Sequence, residues 1–135
     1  MAQRVALTRR QTRVTTSAMP RSARLVWKKT CSTCRTARSF LLARGVKLTE
    51  DRELNAAPLS VAELDALIGE RDHKEFLNTR NELYRERQMK KDPPARAQAL
   101  KLMAEHPNLI RRPVLVVGDK ILLGFDEKAW KETLS

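Results

Sequence analysis

The segment WKKTCSTCRTARSFLLARG, residues 27–45, contains both cysteines of the chain. A short apolar run, residues 23–27, leads into it and predicts a buried strand. From Cys34 onward apolar residues recur at helical spacing, and Gly45 follows as a helix stop. Residues 46–54 then have strand character. This order predicts a βαβ unit whose two strands run parallel.

The middle of the chain predicts helices. Ser60 and Glu63 form a capping-box pattern in front of an amphipathic helix. Residues 72–91 are polar but composed of helix formers, and we expect a helix there too. A further apolar-periodic helix around residues 97–104 ends at the His-Pro pair, residues 106–107.

The C-terminal part predicts a β-hairpin and a last helix. In PVLVVGDKILLG, residues 113–124, two apolar runs flank Gly118-Asp119, a favourable two-residue turn. Asp126 is placed to cap the helix that follows. The predicted order is therefore β-α-β, then helices, then β-β-α.

Length and composition limit the class of protein. A chain of 135 residues with 41% hydrophobic and 32% charged residues is ordinary for one soluble domain. No apolar run approaches the roughly 18–20 residues that span a bilayer, so we expect no membrane helix. Two cysteines cannot build the disulfide framework of a small secreted domain, which favours a reducing, cytoplasmic location.

Positive charge is concentrated at the N-terminus. Of the 27 basic residues, 12 precede position 50, whereas all 16 acidic residues lie at or after it. We therefore interpret residues 1–22 as a disordered basic arm and residues 23–135 as the folded domain. The arm resembles a transit peptide in composition, or could bind nucleic acid or a membrane. Alternatively, translation starts at Met19.

The cysteine pair favours thiol chemistry over the alternatives. Structural zinc needs four ligands, and only His73 and His106 could complete the set, so we expect no metal. Cys31 precedes the first helical turn, where free N–H groups and the helix dipole stabilise a thiolate. Cys34, one turn later, could resolve a mixed disulfide formed at Cys31. The alternative is that one or both cysteines serve only packing.

The C-x-x-C motif, the element order and the sequence EHPNLIRRPVLVV together resemble the ArsC/Spx family. The resemblance covers residues 23–134. It implies a thioredoxin-like α/β fold: β-α-β, a helical insertion, then β-β-α, with a four-stranded mixed sheet flanked by helices. The family includes glutathione/glutaredoxin-linked arsenate reductases and Spx-type transcriptional regulators.

The resemblance also assigns site residues. Cys31 falls on the family's nucleophilic cysteine, and Arg112-Pro113 on an Arg-Pro pair whose proline is cis and faces the thiol. Arg80 matches a second arginine. Two guanidinium groups near a thiolate could hold an oxyanion and keep the sulfur deprotonated. The alternatives are a solvated helical Arg80, a trans Pro113 at a strand start, and surface or helix-end roles for Arg111 and His106.

The chain departs from the arsenate reductases at Gly124-Phe125, where those enzymes carry a third arginine. This feature and Cys34 look more like Spx. A missing cation would weaken oxyanion binding without affecting the thiol chemistry.

Three functions follow from these observations. The first is a thiol-dependent oxidoreductase of the arsenate reductase type, monomeric and without a bound cofactor. Glutathione, glutaredoxin or thioredoxin would supply its electrons. The second is an Spx-like redox sensor that binds the RNA polymerase α subunit through a Cys31–Cys34 disulfide switch. Nucleic-acid binding ranks last because aromatic residues make up only 4% of the chain and no groove-reading motif is present.

Overall fold

A computed structural model describes residues 22–134. The predicted basic arm, apart from Ser22, and the alternative start at Met19 lie outside the described residues. The nine helices and strands within residues 22–134 are β1 (Ser22–Trp27), α1 (Ser32–Ala43), β2 (Lys47–Glu53), α2 (Val61–Ile68), α3 (Glu82–Glu86), α4 (Arg96–Glu105), β3 (Val114–Val117), β4 (Lys120–Leu123) and α5 (Glu127–Leu134). Two 3₁₀ turns lie in the same region, His73–Phe76 between α2 and α3 and Pro107–Leu109 after α4.

The strands form one mixed sheet in the order β2-β1-β3-β4. Strands β1 and β2 are parallel, and β3 pairs antiparallel with both β1 and β4. Val117 pairs with Lys120, so Gly118 and Asp119 form the predicted two-residue turn of the hairpin. The predicted four-stranded mixed sheet is therefore confirmed.

Helices cover both faces of this sheet. Strand β3 is central, and all four of its residues are buried because neighbouring side chains point to opposite, covered faces. Leu115 and Val117 pack with α1 and α5 in one apolar cluster, whereas Val114 and Val116 pack with α2 and α4 in the other. The sheet thus holds the start of α1 and the start of β3 in fixed positions.

The predicted capping residues also lie at helix starts. Ser60 and Glu63 form a complete capping box at α2, in which the Ser60 hydroxyl accepts from the Glu63 N–H at 3.1 Å. Asp126 accepts from the Ala129 N–H at 3.3 Å in the first turn of α5. These local patterns are determined by neighbouring residues, which is why the sequence was sufficient to find them.

The predicted helix over residues 72–91 is wrong. The segment has only the 3₁₀ turn and the five-residue α3, because short polar side chains interrupt it. The Asn81 side chain caps α3 by accepting from the Leu83 N–H at 3.0 Å. Leu77 is extended and forms a bridge with Ile110, and Gln88 adopts a positive φ of 50° that ends the helical path. Residues 72–91 are therefore mostly irregular, and they pair at Leu77 with the loop that leads to Arg112-Pro113.

Candidate functional site

Cys31 is the N-cap residue of α1. Its backbone is extended (φ −99°, ψ 117°), and its Sγ accepts a hydrogen bond from the Cys34 N–H at 3.4 Å. No acidic residue lies in the first turn of α1. The half-buried sulfur therefore lies where unpaired N–H groups and the helix dipole favour a negative charge, as the sequence predicted.

Arg112 lies beside this thiol. Its Nη1 donates to the carbonyl oxygens of Pro107 at 3.1 Å and Ile110 at 3.0 Å, which fixes the guanidinium. Its Nε is buried and has no hydrogen-bond partner among residues 22–134. The Arg112–Pro113 peptide bond is cis, which confirms the isomer that the resemblance implied. Pro113 itself is buried, and its contact with the thiol stays a prediction.

The two thiols have pKa values shifted in opposite directions. Burial alone would raise the pKa of Cys31. Hydrogen bonds from the Cys34 thiol and N–H, together with the charge of Arg112, outweigh burial and lower it. Burial, followed by the hydrogen bond to Cys31, raises the pKa of Cys34 to about 11. Of the two thiols, Cys31 is therefore the one that ionises more readily, and Cys34 stays protonated to higher pH.

The cysteine opens into a cleft of about 740 Å³. The cleft brings together two of the predicted arginines, Arg80 and Arg112, with Cys31. Arg80 is exposed on the turn before α3, where its N–H donates to the Asn78 side chain at 3.1 Å. The other lining residues are Thr33, Lys74, Glu75, Leu77, Asn78, Thr79, Arg111, Gly124 and Phe125. The helical insertion and the hairpin therefore form opposite walls around the sulfur.

Arg111 is exposed, which agrees with the surface position that the sequence indicated, and it also lines the cleft. Its N–H donates to the Phe76 carbonyl at 2.8 Å, and its side chain reaches the glycine after the hairpin. A Cβ atom placed on Gly124 would lie 3.8 Å from Nε and 3.9 Å from Nη2 of Arg111. A guanidinium thus lies against the position where the resemblance had indicated a missing cation. Its adjacency to Arg112 was the only sequence signal.

An aromatic cluster supports the hairpin side of the cleft. The Phe125 and Trp130 rings meet edge-on at 4.9 Å, and Phe40 of α1 lies 5.4 Å from Phe125. Trp130 Nε1 donates to the Gly124 carbonyl at 3.1 Å. Helix α5 therefore fixes the backbone that faces Arg111.

The described part of the chain has neither a candidate metal site nor a membrane-spanning helix. Within residues 22–134, no group of three or more His, Cys, Asp or Glu residues could hold a metal ion. His73 Nε2 instead lies 2.9 Å from the Pro94 carbonyl. No helix in the same range is long and apolar enough to cross a membrane. Both cysteines are free thiols, so a Cys31–Cys34 disulfide stays a prediction.

Comparison with known proteins identifies the family. The model of the ArsC family matches residues 26–133. The chain belongs to the ArsC family. Its relatives include the global transcriptional regulator Spx of Enterococcus faecalis, 30% identical over 72% of this chain and 74% of the regulator. The uncharacterized protein YusI of Bacillus subtilis is 34% identical over 78% of this chain and 92% of its own.

Solved structures of the family share the fold. An arsenate reductase from Vibrio cholerae superposes with a TM-score of 0.69 at 27% identity, covering 87% of this chain and all of its own. This chain is therefore similar both to a protein named as a transcriptional regulator and to one named as an arsenate reductase.

Proposed function

We propose that the protein is a small thiol-dependent oxidoreductase with Cys31 as its nucleophile. The observation that carries the proposal is the position of the Cys31 sulfur at the N-terminus of α1, with a lowered pKa and the guanidinium of Arg112 beside it. A lowered thiol pKa increases the fraction of thiolate, which is the attacking form. The cleft in front of Cys31 provides room for a substrate.

The reaction begins with attack of the Cys31 thiolate on one sulfur of a substrate disulfide. The S–S bond breaks, the other sulfur leaves as a thiolate, and a mixed disulfide forms at Cys31. A second thiol then attacks this mixed disulfide and releases the bound half of the substrate. A further thiol attacks the disulfide between Cys31 and the second thiol, which frees the Cys31 thiolate and leaves the two thiols joined as a disulfide. Two electrons thus pass from these two thiols to the substrate disulfide.

Glutathione or a glutaredoxin-type donor fits the role of second thiol better than Cys34 in the conformation described. Cys34 is fully buried and its pKa is raised to about 11, so little of it is thiolate near neutral pH. Cys31 is half-buried and opens into the cleft. Should Cys34 nevertheless resolve the mixed disulfide, a Cys31–Cys34 disulfide would form. Glutathione, glutaredoxin or thioredoxin would then reduce it.

Arsenate is a further substrate candidate because guanidinium groups bind tetrahedral oxyanions in bidentate fashion. Arg80 and Arg112 line the cleft with Cys31, and Pro113 continues the Arg112 loop. In this version the thiolate attacks arsenic and displaces water or hydroxide. Glutathione then attacks the Cys31 sulfur of the adduct, arsenic leaves reduced by two electrons as arsenite, and Cys31 is left in a disulfide with glutathione. Glutaredoxin or a second glutathione reduces this disulfide and frees Cys31.

Steady-state kinetics tests this proposal. The purified protein is assayed with glutathione and hydroxyethyl disulfide, and separately with glutathione, glutaredoxin and arsenate. We expect turnover in the first assay that is lost in Cys31→Ser and kept in Cys34→Ser. A wild-type rate no higher than that of Cys31→Ser in both assays would refute the oxidoreductase.

The alternative is a redox-sensing regulator similar to Spx. Two observations favour it: the pair of cysteines one helical turn apart, and the 30% identity to a named Spx regulator. Oxidation to a Cys31–Cys34 disulfide would remove the Sγ cap from the Cys34 N–H and alter the start of α1. A pull-down of the RNA polymerase α subunit with reduced and oxidised protein tests this reading. Binding that does not respond to oxidation, or equals that of Cys34→Ser under oxidation, would contradict it.

A further inference from the structure

The residues that line the cleft around Cys31 include more cationic than acidic side chains. Elsewhere, Arg38 pairs with Asp51 at 2.6 Å and Arg96 with Asp65 at 2.8 Å. By contrast, within residues 22–134 the side chain of Arg111 has no ion pair and no hydrogen bond, although it lies beside Gly124. An exposed guanidinium held against a cleft wall without a partner is available to a ligand.

The position of Arg111 is fixed by the fold rather than by a neighbouring charge. Its backbone donates to Phe76 in the insertion, and its side chain crosses to the hairpin. Gly124 has a φ of 77°, a conformation that glycine adopts without strain, and the guanidinium of Arg111 packs beside it. Arg111 therefore contacts the helical insertion through its backbone and the hairpin side of the cleft through its side chain.

We propose that Arg111 binds a carboxylate of an acidic thiol or disulfide substrate and selects such substrates over uncharged ones. This inference rests on the proposed oxidoreductase and names its substrate class. Four cationic residues line the cleft, Lys74, Arg80, Arg111 and Arg112, against one acid, Glu75. Lys74 is partly offset by Asp72 at 3.9 Å. Even with Cys31 as thiolate, the cleft retains positive charge.

Alkylation of Cys31 tests this selectivity without requiring turnover. Iodoacetate carries a carboxylate, whereas iodoacetamide is neutral and reports the thiolate alone, so the ratio of their rates isolates attraction of the anion. The ratio is measured for wild type, Arg111→Gln and Arg111→Lys by mass spectrometry of the Cys31 peptide. Arg87→Gln is the matched control because Arg87 is exposed and lines a different groove.

We expect Arg111→Gln to lower the ratio of the iodoacetate rate to the iodoacetamide rate about 3- to 10-fold. This is the effect expected from removing one partly screened charge close to the reacting sulfur. Arg111→Lys keeps most of the ratio, and added salt reduces the difference. Equal ratios in Arg111→Gln and Arg87→Gln would overturn the inference.

Kinetics provides the second readout. With the neutral dithiol dithiothreitol as reductant in both assays, and the uncatalysed rate subtracted, Arg111→Gln should raise the KM for glutathione disulfide, which carries carboxylates, and leave the KM for neutral hydroxyethyl disulfide unchanged. A wild type without turnover refutes the oxidoreductase, while the alkylation ratio still decides the role of Arg111. Turnover with equal KM shifts for both disulfides refutes Arg111 alone.

Discussion

Arg112 is the residue whose charge is predicted to control the thiol. Arg112→Gln removes the positive charge beside Cys31. Because that charge opposes the effect of burial on the Cys31 thiol, the pKa of Cys31 should rise in the variant. The rate of iodoacetamide alkylation against pH gives this pKa. We expect the wild-type midpoint below the unperturbed value of about 8.5 and a higher midpoint in the variant. Arg112→Lys, which keeps the charge, should fall between them, and identical midpoints would contradict the assignment.

Cys34 offers the reverse experiment. In Cys31→Ser the neighbouring sulfur no longer competes for negative charge, whereas the burial that raises the Cys34 pKa remains. The pKa of Cys34 should therefore fall below about 11 but stay above that of an unperturbed thiol. The ultraviolet absorbance of the thiolate, followed against pH, measures it because only one cysteine is left. A value at or above the wild-type one would show that the two thiols are not coupled.

At the level of elements, α5 supports the cleft through one indole. Trp130 is fully buried, and Trp130→Phe removes the N–H that donates to the Gly124 carbonyl. The unpartnered carbonyl and the space left by the smaller ring should lower the free energy of unfolding by about 1–3 kcal/mol.

Unfolding in guanidinium chloride, followed by circular dichroism, measures this loss of stability. Leu42→Ala, on the exposed face of α1, is the control and should change stability by less than about 0.5 kcal/mol. If the two variants were equally stable, α5 would not support the wall at Gly124.

Across the whole molecule, the sequence was informative where neighbouring residues determine the outcome. The βαβ unit, the hairpin at Gly118-Asp119 and the N-cap position of Cys31 depend on spacing within about one turn or strand. The position of Arg111 depends instead on a backbone hydrogen bond to Phe76, 35 positions away, and on packing of its side chain beside Gly124. Periodicity along one segment contains no information on such contacts.

The failed helix over residues 72–91 has a related cause. Its composition favoured helix, but the pairing of Leu77 with Ile110 holds that part extended against the loop before β3. Tertiary pairing overrode local propensity. The same pairing brings Arg80 and Arg112 to one cleft, so the part of the chain that was predicted incorrectly is also the part that assembles the site.

Carboxylates on β2 should make the stability of the whole fold sensitive to acid. Asp51 accepts from Arg38 of α1 at 2.6 Å and from Trp27 of β1 at 2.7 Å, and the hydrogen bond from Arg38 is the main cause of its lowered pKa. A lowered native pKa means that the unfolded chain binds protons first as the pH falls. The stabilisation is therefore complete above the unfolded pKa of about 3.9 and is lost as the pH drops through the lower native value.

Asp51→Asn should accordingly be less stable than wild type near about pH 7 and lose less stability between about pH 7 and about pH 3. Urea unfolding at the two pH values measures both effects. Asp92→Asn is the matched control, since the Asp92 carboxylate has no ion pair or hydrogen bond to another residue in the described range 22–134, and it should follow the wild type. If Asp51→Asn lost as much free energy of unfolding on acidification as wild type, the prediction would be wrong. The contacts of the Asp51 carboxylate with α1 and β1 would then not stabilise the native state.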